Sequence, residues 1–261
     1  MLQQAEATVF HRFMTSGRTS PAVFGCVTEG DDEEEEFVVK LAGGSETGTA
    51  GLLCEAVAAE LADYFGIDHP EQAVVALDED LAKLVALQEP SKAGLIGGSV
   101  GMNFGTKLLT NLITWPVDRT PSASQFERAC EIFAFDALIQ NPDRRFSNPN
   151  LGTVGNQIYI FDHELAFSFR LDIFPSQEPW KISNQPFWAE HVFFNALRHK
   201  PLQLDGFTEL LANLPITLFD QLEDVMPPEW PLDLLVVIKN HLNSVSTHAE
   251  EFKEELTGRL L

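Results

Sequence analysis

Asp143, Asn148 and Asp162 are the residues of this sequence whose types and spacing could do chemistry. They stand in NPDRRFSNPNLGTVGNQIYIFDHELAF, residues 141–167, where turn formers and charges give way to a short apolar run ending in Asp-His-Glu. An aspartate followed five residues later by an asparagine lets one short loop aim a carboxylate at a hydroxyl and an amide oxygen at a metal ion. A second aspartate, at the end of the strand-like QIYIF, adds a further hard oxygen ligand of the kind magnesium takes. The chemistry these parts suit is phosphoryl transfer. It needs contacts to phosphates, divalent ions and a carboxylate that orients the attacking hydroxyl. His163 and Glu164 hint at another kind of metal site, but no second histidine lies at helical ligand spacing, so zinc is not expected.

Two charges earlier in the chain complete the set. In FVVKL the alternation places Phe37, Val39 and Leu41 on one strand face and Val38 and Lys40 on the other. Glu55 follows, about one turn into the helical pattern LLCEAVAAELADYFGI. Taken singly, each residue has an ordinary reading: a surface lysine, a solvated helix glutamate, a turn, a cap. Together they run strand lysine, helix glutamate, aspartate, asparagine, aspartate, the order in which protein kinases place their catalytic parts.

The elements that must position these residues change character along the chain. ATVF and PAVFGCV read as strands separated by the polar TSGRTS, and GDDEEEE reads as a solvated hairpin tip. Leu53, Val57, Leu61 and Tyr64 give the first helix its stripe, and Gly66 is its stop. HPEQAVVALDEDLAKLVAL predicts one or two further strands, GLIGGSVGMNFG a flexible segment, and TWPVDRTPSAS the main connector. QFERACEIFAFDALIQ predicts a helix with Ser122 or Ser124 as cap and Phe126, Cys130, Phe133 and Ala137 on one stripe. Mainly helical patterns follow an aromatic stretch, Phe174 to Trp188. The expectation is an α+β fold of two lobes: a β-rich lobe at 1–110, a connector at 111–123 and a helical lobe at 124–261. The cleft between such lobes is the default ligand site.

Composition narrows the function classes. The 261 residues are 44% hydrophobic with 20 phenylalanines, enough for a sizeable core. The net charge of −22 repels nucleic-acid backbones and anionic lipid, so neither is an expected partner, while a local cation or a divalent ion still admits a small phosphate ligand. No apolar run approaches a membrane span and no secretory signal is visible. Cys26, Cys54 and Cys130 are widely spaced, so buried free thiols and a cytoplasmic setting are expected.

The sequence resembles the HipA-like kinases, especially their short single-chain branch, and more distantly the phosphatidylinositol kinases. The carriers are SGRTSP before a strand, FVVKL, CEAVAAELADYFGI, and LIQNPDRRFSNPNL followed by IYIFDHELAF. The resemblance covers roughly Ser16 to Phe167. It implies a protein-kinase-like fold, ATP with magnesium, and transfer of the γ-phosphate, in the best-known members to a protein hydroxyl. Carried over, Asp143 is the base, and Asn148 and Asp162 bind magnesium. Lys40 holds the α- and β-phosphates, Glu55 positions Lys40, and Ser16, Gly17, Arg18, Thr19 and Ser20 form the loop over the phosphates. Two positions depart from the pattern. Arg145 stands where HipA itself and the lipid kinases have histidine, and Glu164 stands where Asp-Phe-Gly has glycine. A protein kinase, a small-molecule or lipid kinase, and a nucleotide-binding pseudokinase acting through its aromatic stretch are the three readings that follow.

Overall fold

Period-two alternation in the first part of the chain closes a barrel. The computed structural model describes residues 2–15, 19–31, 33–174, 176–185 and 188–261. Strands β1 (Gln3–Phe13), β2 (Ala22–Thr28) and β3 (Glu34–Lys40) precede helix α1 (Thr49–Tyr64). Then come β4 (Gln72–Leu77), α2 (Glu79–Gln88), α3 (Ala93–Gly97) and β5 (Gly101–Lys107). The strands are hydrogen-bonded in the order β1-β2-β3-β5-β4, and β4 returns to β1 in parallel, which leaves little free edge. Alternate residues point inward: Ala5 and Ala7, Phe24 and Cys26, Phe37 and Val39, and Val75 and Leu77 are buried in one cluster. Ala82 and Val85 of α2 and Ile96 of α3 complete it.

Several sequence expectations change here. Only the first half of HPEQAVVALDEDLAKLVAL is a strand. The second half is α2, because the Asp78 carboxylate accepts the Leu81 N–H at 2.6 Å and caps a helix whose Ala82 and Val85 reach the core. GLIGGSVGMNFG is not a flexible segment: it forms α3 and then β5, which pairs with both β3 and β4. The acidic run is only partly a hairpin tip, since Glu34–Lys40 is already strand and Thr8 Oγ1 donates to Glu34 at 2.7 Å. Helix α1 is buried around most of its circumference from Leu52 to Ala62, which the single stripe of the sequence did not foretell. Its end is marked by Gly66, whose φ of +66° is the left-handed conformation glycine tolerates best.

The second part of the chain is mainly helical. Strands β6 (Ile113–Thr114), β7 (Leu151–Val154) and β8 (Gln157–Ile160) form a small antiparallel sheet. Helix α4 (Phe126–Leu138) is entered through a short turn in which Ser122 and Gln125 form a capping box. Then come α5 (Phe194–Leu197), α6 (Asp205–Ala212), α7 (Thr217–Val225), α8 (Asp233–Ser246) and α9 (Ala249–Leu260). Phe65 stacks on Phe207 at 4.4 Å and meets Phe135 edge-on at 6.1 Å. The chain divides into two compact units. One holds Met1–Glu60, Pro70–Thr110 and Asp224–Pro231; the other holds Leu61–His69, Asn111–Glu223 and Leu232–Leu261. The fold is mixed α+β, β-rich first and helical second. No described helix is long and apolar enough to cross a membrane. Cys26, Cys54 and Cys130 are buried, and burial together with Glu34 pushes the Cys26 thiol up to about 12, leaving it unreactive.

Candidate active site

The candidate residues form two groups, one in each unit. In the first unit, Lys40 ends β3 on the face opposite Phe37 and Val39, as the alternation requires. Its ammonium is hydrogen-bonded and ion-paired to Glu55 Oε1, with 17% of the lysine and 3% of the glutamate side chain exposed. Strand β3 is held on both sides, Ala22 pairing with Val39 and Phe104 with Lys40. The turn after it is braced by buried side chains. Asn103 Oδ1 accepts the Ala42 N–H at 2.9 Å, and Ser99 Oγ accepts the Gly43 N–H at 3.0 Å. Of the expected phosphate loop, Thr19 and Ser20 are described, Ser20 with a left-handed φ of 52°. Ser16, Gly17 and Arg18 lie outside the described residues.

The second unit carries Asp143, Asn148 and Asp162 on loops. Asp143 Oδ2 accepts N–H groups from Asn148 at 2.8 Å and from Asn150 at 3.0 Å, and the Asp143 backbone N–H donates to Asn141 Oδ1 at 3.1 Å. Reciprocal backbone bonds between Arg145 and Asn148 close the loop at 3.0 and 3.1 Å. Arg145, at the position that differs from the lipid kinases, lies 3.9 Å from Asp143 and 3.8 Å from Glu190. Asp162 follows β8 with a φ of 64°, and the Phe161 N–H just before it donates to the Asn150 carbonyl at 3.1 Å. The structure therefore joins Asp143 to Asn148 directly, and ties the chain at Asp162 to the same loop through backbone.

What holds these loops is a buried polar network that the sequence reading missed. Arg144, only 1% exposed, donates through Nε to Asp136 Oδ2 at 2.6 Å. Its Nη1 reaches the carbonyls of Asn150 and, at 3.3 Å, Phe161, while Nη2 meets His163 Nε2 at 2.8 Å. One guanidinium thus grips both loops. Asp136 also accepts from Asn141 at 2.9 Å and from His191 Nε2 at 3.0 Å. Arginine only donates, so His163 Nε2 must be the acceptor and its proton must sit on Nδ1. His191 is the opposite tautomer: its Nδ1 accepts the Phe193 N–H at 3.2 Å. Burial would raise the Asp136 carboxyl, but Arg144 and His191 override it and hold the group well below the usual carboxylate range. Burial also lowers His191, against the pull of Asp136, so it stays neutral. The sequence did carry a signal: Asp136 interrupts the apolar helix run IFAFDAL, and an acid inside such a run needs a partner. His191, 55 residues away, left no such mark.

The donor atoms suit magnesium. Asn148 turns its nitrogen toward Asp143, which leaves its oxygen as the atom an ion would take, and Asp162 supplies a carboxylate. Magnesium is commonly bound by one or two carboxylates together with substrate phosphates. Among the described residues, no three His, Cys, Asp or Glu side chains gather into a metal site of their own. In comparison with known proteins, the sequence model of one family, described as HipA-like kinase, matches residues 7–256. No curated protein and no solved structure matches the chain.

Proposed function

The chain belongs to the HipA-like kinase family and is a kinase-type phosphotransferase, and from that premise we propose that it transfers the γ-phosphate of ATP to a serine or threonine hydroxyl of a protein. The observation that carries this reading is the Lys40–Glu55 pair. A lysine at the end of a barrel strand, turned onto a nearly buried glutamate fifteen residues away, is what a nucleotide site needs of its first unit. Lys40 holds the α- and β-phosphates, and Glu55 fixes its ammonium. Thr19 and Ser20, with Ser16 to Arg18, cover the phosphates. Asp143, oriented by the amides of Asn148 and Asn150, accepts the proton of the attacking hydroxyl. Asn148 and Asp162 hold magnesium, which when bound neutralises charge on the phosphates. The proposal includes a two-lobed, protein-kinase-like fold with lobes at 1–110 and 124–261 joined by 111–123, and a cytoplasmic setting in which the three buried thiols stay reduced.

The test has two steps. A magnesium-dependent rise in melting temperature with ATP is the first expected result, since a ligand selective for the folded state stabilises it. The second is transfer of label from ATP to a protein in host lysate. Label in a small molecule or lipid instead would move the acceptor to that class. ATP binding without transfer to any acceptor would favour the pseudokinase. Absence of any ATP or magnesium effect on melting would remove the nucleotide reading.

A further inference from the structure

Lys92 differs from most lysines of this acidic chain. Lys83, Lys107, Lys181, Lys239 and Lys253 each contact a carboxylate at 2.6 to 3.1 Å. Lys92 has no carboxylate partner among the described residues. Its ammonium donates to Ser20 Oγ at 2.7 Å and lies 5.6 Å from the centroid of the Phe13 ring. A hydroxyl and an aromatic face orient a cation without cancelling its charge. An ammonium has three N–H donors, and Ser20 uses one.

The position of that cation is set by the barrel. Ala22 pairs with Val39, so Ser20 approaches β2 beside the end of β3 that carries Lys40. The turn after Lys40 packs backbone against backbone there: a Cβ added at Gly44 would stand 2.4 Å from the Thr19 carbonyl oxygen. Lys92 closes a short turn, Pro90–Lys92, in which its own N–H bonds the Glu89 carbonyl at 2.9 Å. Thr19, Ser20, the end of β3 and Lys92 are therefore gathered at one end of the barrel, within one unit.

We propose that Lys92 is a second phosphate-binding cation of this nucleotide site, meeting the polyphosphate chain from the Ser20 side while Lys40 meets it from the Glu55 side. The proposal rests on the ATP reading above. In a chain of net charge −22, an ammonium held at Ser20 with no carboxylate partner among the described residues supplies the local positive potential that a polyphosphate requires.

Calorimetric binding of ATP and of adenosine, at fixed magnesium, tests it. Lys92→Met keeps the aliphatic stem against Phe13 and removes the charge; Lys92→Arg keeps the charge. Lys92→Met is expected to weaken ATP about tenfold and leave adenosine unchanged, with Lys92→Arg close to wild type. Ser20→Ala, which releases the ammonium from its anchor, is expected to weaken ATP about threefold without affecting adenosine; it carries the test if Lys92→Met proves poorly folded. Undiminished ATP affinity in these variants, beside a wild type that binds ATP, overturns the proposal and leaves the kinase reading standing. Equal weakening of ATP and adenosine overturns it too, by showing that Lys92 only braces the loop. A wild type that binds neither ligand overturns the nucleotide reading itself.

Discussion

The two units hold their candidate residues by different physical means. In the first, Lys40 sits on a strand and Glu55 on a helix, and regular structure aims both. Period-two alternation over the apolar barrel leaves Lys40 one direction to point, and there its ammonium meets Glu55 in an ion pair. In the second, Asp143, Asn148 and Asp162 sit on loops, which no periodicity orients. Their geometry is imposed by the buried Asp136–Arg144 pair, whose guanidinium bonds the Asn150 and Phe161 carbonyls and His163. A loop held by one buried charge network is more exposed to a single substitution than a strand held by ladders on both sides.

The largest effect should come at the proposed base. Asp143→Asn should lower phosphoryl transfer by roughly 10²–10⁴-fold while leaving ATP binding nearly intact, because a positioned base acts on the hydroxyl and not on the nucleotide. Asp162→Asn should lose magnesium-dependent ATP binding as well. Transfer assays run beside melting shifts separate the two, and equal loss of ATP binding in both would show that the roles within the second unit are misassigned.

Next comes the network itself. Arg144→Met strands the buried Asp136 carboxylate and should cost about 3–5 kcal/mol of stability, measurable by urea unfolding. Asp136→Leu combined with Arg144→Met should be less destabilising than Arg144→Met alone, since no charge is then left unpaired. A single variant no less stable than wild type would break the contrast between the units.

Acid should weaken the second unit through His241. That ring stacks on Phe169 at 3.8 Å, and its Nε2 lies 3.1 Å from the Leu138 carbonyl. Burial pushes its pKa from 6.5 down to about 4, the Leu138 contact offsetting only part of the effect. Below pH 6.5 the unfolded chain therefore binds a proton that the folded site refuses until about pH 4. The stability is present in full above pH 6.5 and declines through this window by up to about 3 kcal/mol. His241→Phe keeps the stack and should flatten the difference in unfolding free energy between pH 7 and pH 4.5. A slope identical to that of wild type would remove His241 as its source.

The smallest effect is expected in the first unit. Glu55→Gln keeps an acceptor for Lys40 and removes only charge, so ATP affinity should fall about tenfold with little change in melting temperature. A stability loss as large as that of Arg144→Met would erase the distinction between strand-held and network-held residues.

The sequence determined by itself what depends on local pattern. The alternation in FVVKL put Lys40 opposite Phe37 and Val39, and β3 carries them so. The stripe and cap signals of QFERACEIFAFDAL marked α4, and the Asp-Arg-x-x-x-Asn spacing marked the loop in which Asn148 meets Asp143. Short-range failures have local causes. The Asp78 cap turned a presumed strand into α2, and the glycines of GLIGGSVGMNFG read as flexible until β3 and β4 paired with β5. Tertiary structure alone decided what Arg144 does, that His191 comes to Asp136 from 55 residues away, and that Lys92 meets Ser20 across 72 residues. The reason is physical. Periodicity and capping are written within a few residues of the groups they orient, whereas the partner of a buried charge is chosen by the need to satisfy it wherever the fold brings a donor, at any separation along the chain.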